Sequence, residues 1–269
     1  MQNSKTVVTR NVYLSTSHRD TTAFPSASTF SIFLPMTIKN VFGVRVRCYK
    51  YTPEPLINSN NNTIPYTSSA GSGNIVIDRG DYSQDLTTLM TALNQKFNAI
   101  GVQFTFDPVT QLAQFSFISS TSTNYVSIPP CRLLQQLGYP VGMGVYLYKS
   151  GHAPSNLAQN YNGYLNVATS TIAASAVNNT DLILSITNLE AISSFDSVSN
   201  RATAVLMSNR TPNSVNINND CDMYPLLQTQ ARIQQLRVNI YDSNGDLYDL
   251  GTDNASFMIE FYCYETAEC

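Results

Sequence analysis

The chain has 269 residues, 43% of them hydrophobic and 12% charged, with 15 Lys+Arg against 18 Asp+Glu for a formal net charge of −3. That is apolar surface enough for one large core or two small ones, with about half the roughly 25% of charged residues usual in globular domains. The balance excludes a phosphate-neutralising basic stripe, and ordinary hydrophobicity with low net charge excludes wholesale disorder.

The polar load has moved to Asn, Ser and Thr, which gives up electrostatic repulsion between copies and suits a protein packed against neighbours. Apolar stretches such as residues 41–46 and 182–184 fall far short of the roughly 18–20 needed to span a bilayer. Residues Met1 to Thr6 lack an apolar h-region, so no secretory signal is expected.

In chain order, residues 1–24 read as an N-terminal arm ahead of a single domain over 25–269. Residues 30–35 and 41–49 carry apolar side chains at every second position and predict two strands joined by a turn around Lys39-Asn40. Residues 74–78 predict a third strand. Leu86, Leu89, Met90, Leu93 and Phe97 share one helical face, which predicts a single amphipathic helix over about 83–98, capped by Asp81 or Ser83 and followed by Gly101. Val102, Phe104 and Phe106 alternate into a turn at residues 107–110, and Ala113, Phe115 and Phe117 alternate away from it, a β-hairpin. Residues 182–186 and 203–207 read as strands. Leu236, Val238 and Ile240 lead into Asp242-Ser243-Asn244-Gly245-Asp246, a tight turn read as a second hairpin. Residues 257–264 form the last strand. Long Asn-, Ser- and Tyr-rich insertions lie at about 145–180 and 208–230. The pattern is mainly β, an antiparallel β-sandwich with a jelly roll as its leading version.

The search for chemistry nominates no catalytic, cofactor-binding or metal-binding residue. Cys48, Cys131, Cys221, Cys263 and Cys269 never form a CxxC pair, and without a signal peptide they are expected to be reduced, with Cys48 and Cys263 in the core. The two histidines, His18 and His152, read as loop residues, although Cys131 with His152 could be imagined as a thiol nucleophile and its base. No nucleotide-binding, zincin or nucleophile-elbow motif occurs. Residues 242–246 superficially resemble a calcium loop, but the required glycine and glutamate positions are wrong and a turn explains them better. Arg79-Gly80-Asp81 spells an adhesion triplet, yet Gly80 is explained by a turn and Asp81 by helix capping. Arg45 and Arg47, with Lys39 and Lys50 nearby, read as a solvated strand face, or as partners for an acidic neighbour in an assembly.

Ser17-His18-Arg19-Asp20, Phe24-Pro25-Ser26, Phe30 to Pro35 and Ile38-Lys39-Asn40-Val41, in that order, resemble the opening of minor capsid and penton-type proteins of large icosahedral double-stranded DNA viruses of the nucleocytoplasmic type. The similarity continues through residues 77–83 and the helix after them, the Phe-rich hairpin and Leu133-Leu134-Gln135-Gln136-Leu137-Gly138-Tyr139. It resumes at residues 238–245 and 257–262, with residues 145–230 outside it. The resemblance implies a jelly-roll structural protein of the virion capsid, synthesised in the host cytosol. Such a protein cements major-capsid capsomers or occupies a vertex, and its expected partners are the major capsid protein, other minor capsid proteins and copies of itself. No enzyme activity, cofactor, nucleic-acid contact or membrane span is expected. The expected contact regions are the arm, the 52–73 loop and the two later loops. An exterior receptor- or glycan-binding module using residues 146–164 and 208–224 is the alternative, and a hydrolase built on Cys131 is a third reading.

Overall fold

The computed structural model describes residues 5–82, 86–107, 109–171, 181–192, 202–207, 215–217 and 223–266. The chain forms two compact units, Met1–Glu54 with Asn179–Cys269, and Pro55–Asn178. This differs from the expectation of an arm followed by a single domain. The reason is physical: the buried apolar residues fall into two separate clusters, one centred on Phe30, Leu184, Val238 and Phe257, the other on Leu93, Phe104, Phe115 and Val145.

The first unit begins with β1 (Lys5–Ser15) and β2 (Thr29–Lys50). The second supplies β3 (Thr63–Ser68), β4 (Gly71–Val76), helix α1 (Leu86–Phe97), β5 (Val102–Phe106), β6 (Ala113–Phe117), β7 (Tyr125–Ile128), helix α2 (Arg132–Gln136), β8 (Gly144–Tyr148), β9 (Tyr161–Leu165) and β10 (Val167–Thr169). The chain then returns to the first unit with β11 (Leu182–Ile186), β12 (Ala204–Leu206), β13 (Asn216–Ile217), β14 (Tyr224–Asp242) and β15 (Ser256–Thr266).

In the first unit every pairing is antiparallel, in the order β1-β15-β2-β14-β11-β12 with β13 also on β2. The register resolves this single path into two layers, because β2 is paired with β15 over only part of its length. Its residues 41–50 pair with β15 and, over 41–44, also with the start of β14, while its residues 29–39 pair with β14 alone. One layer is therefore β1, β15, the second half of β2, and β13 with the start of β14 as its fourth strand. The other is the first half of β2, the second half of β14, β11 and β12. Two four-stranded antiparallel layers connected in this way are a jelly roll. Where a turn is expected at Lys39-Asn40, the backbone instead continues as one 22-residue strand that bends: Asn40 takes φ 54, and its side-chain amide donates to Tyr264 O at 3.2 Å. Asn is among the few non-glycine residues that visit this region routinely. The second expected hairpin is a tight turn with Gly245 at φ 85, but its return leg is one bridge, Tyr241 to Leu247, and the last strand pairs with β1 and β2 instead.

The second unit has a five-stranded sheet, β4-β3-β7-β8-β9, in which only β8–β9 is parallel, and a three-stranded sheet, β10-β6-β5. The Phe-rich hairpin forms as β5–β6, with Phe104 facing Phe115 in register. Helix α1 buries Leu89, Leu93 and Phe97, and Asn94 Oδ1 accepts the Phe104 backbone N–H at 2.7 Å, tying the helix to the hairpin. The 3-10 turn that follows ends at Gly101, φ 78, where a Cβ would fall 1.9 Å from Thr121 Oγ1. Ser83 and the expected first turn of the helix lie outside the described residues. Segments read as loops carry structure here: β3 and the start of β4 lie within 52–73, and β9 and β10 within 149–180.

Candidate interaction surfaces

The motifs singled out in the sequence hold the backbone in place. Arg19 donates to Thr16 O at 2.7 Å and Phe24 O at 3.2 Å, and Asp20 accepts the N–H groups of Thr22 and Ala23, so Ser17-His18-Arg19-Asp20 folds the link between β1 and β2. His18 is exposed with its ring edge-on to Tyr13. Gly80 of the Arg-Gly-Asp triplet exchanges two backbone hydrogen bonds with Ile57. Asp242 accepts from the N–H groups of Asn244 and Asp246, as a turn residue does.

Cys131 and His152 share no hydrogen bond among the described residues, and burial pushes the Cys131 thiol up, which disfavours a thiolate nucleophile. Cys48, Cys131 and Cys263 are free thiols, with Cys263 buried and Cys48 half-buried, while Cys221 and Cys269 lie outside the described residues. Arg45 and Arg47 have an acidic neighbour within the chain itself. Arg45 faces Glu260 in register, and the Glu260 carboxylate lies 3.9 Å from Arg45 and 3.1 Å from Arg47. Only 11% of the Glu260 side chain is exposed, because the two arginines flank it in a cross-strand cluster on the outer face.

Two surfaces remain that fit the expectation of contact. The first is the open side of the jelly roll. Strand β1 is the edge of one layer and the first half of β2 the edge of the other, so two edges flank the same opening. Between them runs a groove of about 1080 Å³ lined by Arg10, Val12, Tyr13, Leu34, Met36 and Glu265. Tyr13 is 55% exposed and Met36 66%, and Phe33 on the same stretch of β2 is 72% exposed. Beyond its pairing with β15, β1 leaves one row of backbone donors and acceptors unpaired among the described residues, a template for added chain.

The second is the outer face of the five-stranded sheet. Val126, Ile128, Val145 and Leu147 point into the core, so period-two alternation sends Tyr125, Ser127, Tyr146 and Tyr148 outward. Parallel pairing with β8 adds Tyr161 and Leu165 to the same side. Tyr125 and Tyr146 stack at 5.6 Å and 7° between planes, and Tyr161 covers Gly144, whose Cβ would fall 2.7 Å from that ring. Burial and the neighbouring Tyr125 push the Tyr146 hydroxyl up. Not one outward position on the five strands is Asp, Glu, Lys or Arg. Sequence reading placed Tyr146 to Tyr164 in a loop because glycines and asparagines break its periodicity. The alternation Tyr146-Leu147-Tyr148 was the signal that could have located it.

No protein-family model matches the chain and no curated relative matches it. Among solved structures, the mavirus penton protein, determined as a selenomethionine-labelled crystal structure, matches over 97% of this chain and 100% of its own, at 11% identity and a TM-score of 0.40. Among the described residues no helix is long and apolar enough to cross a membrane.

Proposed function

We propose that the chain is a structural protein of an icosahedral virion, a minor capsid component that cements major-capsid capsomers or fills a vertex position. The observation that carries this reading is the open side of the jelly roll, where two strand edges flank a groove and bring exposed Tyr13, Phe33 and Met36 with them. Monomeric surfaces seldom leave long strand edges beside apolar side chains, because such edges recruit other chains. The ordered segments that resemble minor capsid proteins support the same reading. The partners are the major capsid protein, other minor capsid proteins and further copies of this chain, and the location is the capsid after synthesis in the host cytosol.

Selective extraction of this protein from purified particles tests the role. Shells that open or lose vertices on extraction are the expected result. Shells that stay closed and complete overturn the cement role in favour of an exterior attachment module.

A further inference from the structure

We propose that the outer face of the second unit's five-stranded sheet is a self-docking face, meeting the same face of a second copy of the chain with Tyr146 near its centre. The inference rests on the assembly reading and adds to it a surface and an occupant.

Charge supplies the first argument. The outer face of β2 and β15 carries Arg45, Arg47 and Glu260, which is how this chain equips a strand face near water. The outer face of β3, β4, β7, β8 and β9 carries none. A partner bringing ions to that face would bury them without counter-charges, at a cost of several kcal/mol per ion. A face offering only uncharged groups avoids the cost, and the chain itself possesses one.

Composition and order supply the second. Tyr, Ser, Asn and Gly are the residues of antibody paratopes, where rigid phenol rings give contact area at low entropic cost and small polar groups adapt around them. Here the rings are already held: Tyr125 and Tyr146 stack on each other, and Tyr161 lies over Gly144. Their ordering is settled before a partner arrives, so less affinity is lost on binding. Because Tyr125 and Tyr146 each give one ring face to the other, they suit edge and hydroxyl contacts better than a flat sugar platform. Gly163 pairs with Tyr146 in register, and a Cβ there would already meet Leu157 and the Tyr148 ring, so the face is filled from within the chain at this point. A two-fold axis brings such a face onto itself.

Area sets the strength. Five strands about 4.8 Å apart, each about five residues long at roughly 3.3 Å per residue, span about 400 Å² of flat area. A standard stable interface buries about 800 Å² per partner, so this one is weak, with a Kd on the order of 10–100 μM.

Sedimentation velocity of the full-length protein, under reducing conditions and across concentration, reads the association. The wild type is expected to pass from monomer to dimer in that range. Tyr146→Lys and Ser127→Lys each place a cation on the face without touching the core and are expected to weaken dimerisation at least tenfold. Arg47→Ala, in the other unit, is expected to leave it unchanged, and far-ultraviolet circular dichroism verifies that each variant folds. Dimerisation at wild-type strength in both lysine variants overturns the inference while leaving the assembly reading standing. A wild type that stays monomeric to about 1 mM overturns it too. So does a monomer that binds immobilised glycans through Tyr146, which would make the face a sugar site.

Discussion

Phe115 is the residue on which the second unit's core most visibly converges. It is 1% exposed, and its ring lies 5.1 Å from Phe97, 5.0 Å from Phe104 and 5.5 Å from Tyr139. It thus joins the helix, both strands of the hairpin and the segment after α2. Phe115→Ala removes the buried ring and leaves a cavity, which typically costs about 3–5 kcal/mol, and the three ring pairs, worth roughly 0.5–1.5 kcal/mol each, place the loss toward the upper end, at about 4 kcal/mol. With a guanidinium m-value of about 4 kcal/mol/M, the unfolding midpoint of this unit falls by about 1 M. The chain has 16 Tyr and no Trp, so tyrosine fluorescence alongside far-ultraviolet circular dichroism follows the transition. Gln114→Ala, one position along the same strand, removes a hydrogen bond to Thr169 and is expected to cost about 1 kcal/mol. A Phe115→Ala midpoint within about 0.25 M of wild type would mean that the aromatic cluster does not hold the unit together.

Glu260→Gln is expected to destabilise the first unit by about 2–4 kcal/mol, because Arg45, with a side chain only 17% exposed, loses its carboxylate; Arg47→Ala, 59% exposed, is expected to cost under about 1 kcal/mol by the same denaturation assay. Asn40→Gly should be tolerated while Asn40→Val costs roughly 1–2 kcal/mol, since φ 54 is strained for a β-branched residue; equal thermal stabilities would count against the bend. Burial holds the Tyr139 and Tyr248 hydroxyls well above the usual tyrosine range. A raised folded-state pKa means that their contribution is complete below the unfolded value of about 10 and is lost as pH rises above it, so stability should be flat with respect to these groups below about pH 10 and fall beyond. Tyrosinate absorbance should show these two ionising only with unfolding, and their ionisation in a still-folded chain would contradict the burial argument.

The strands legible in the sequence are those whose alternation meets a one-sided core. β5 and β6 are legible because their inward positions are apolar and their outward ones Gln, Thr and Ser, β11 and β15 because an apolar residue recurs at every second position, and α1 because Leu89, Leu93 and Phe97 repeat at the helical period. β9 and β10 are not, because Tyr161-Asn162-Gly163-Tyr164-Leu165 has no apolar alternation, and its place in the sheet comes from backbone pairing with β8. The edge strand β1 has period-two apolar positions, Val8, Val12 and Leu14, but Arg10 interrupts them on the inward side, where it pairs with Glu265.

Low charge, period-two patterning, one amphipathic helix and the lack of any motif for chemistry are enough to give the class from residues alone. The residues also hold the material for two cores, since burial follows composition. How that material divides, the crossing of β2 from one jelly-roll layer to the other at Asn40 and the gathering of uncharged tyrosines on one sheet face emerge only in the folded chain. Alternation says which side chains turn inward within a strand. Which strands lie beside one another, and so what the outward side chains build together, is fixed by hydrogen-bond register between segments far apart in the chain.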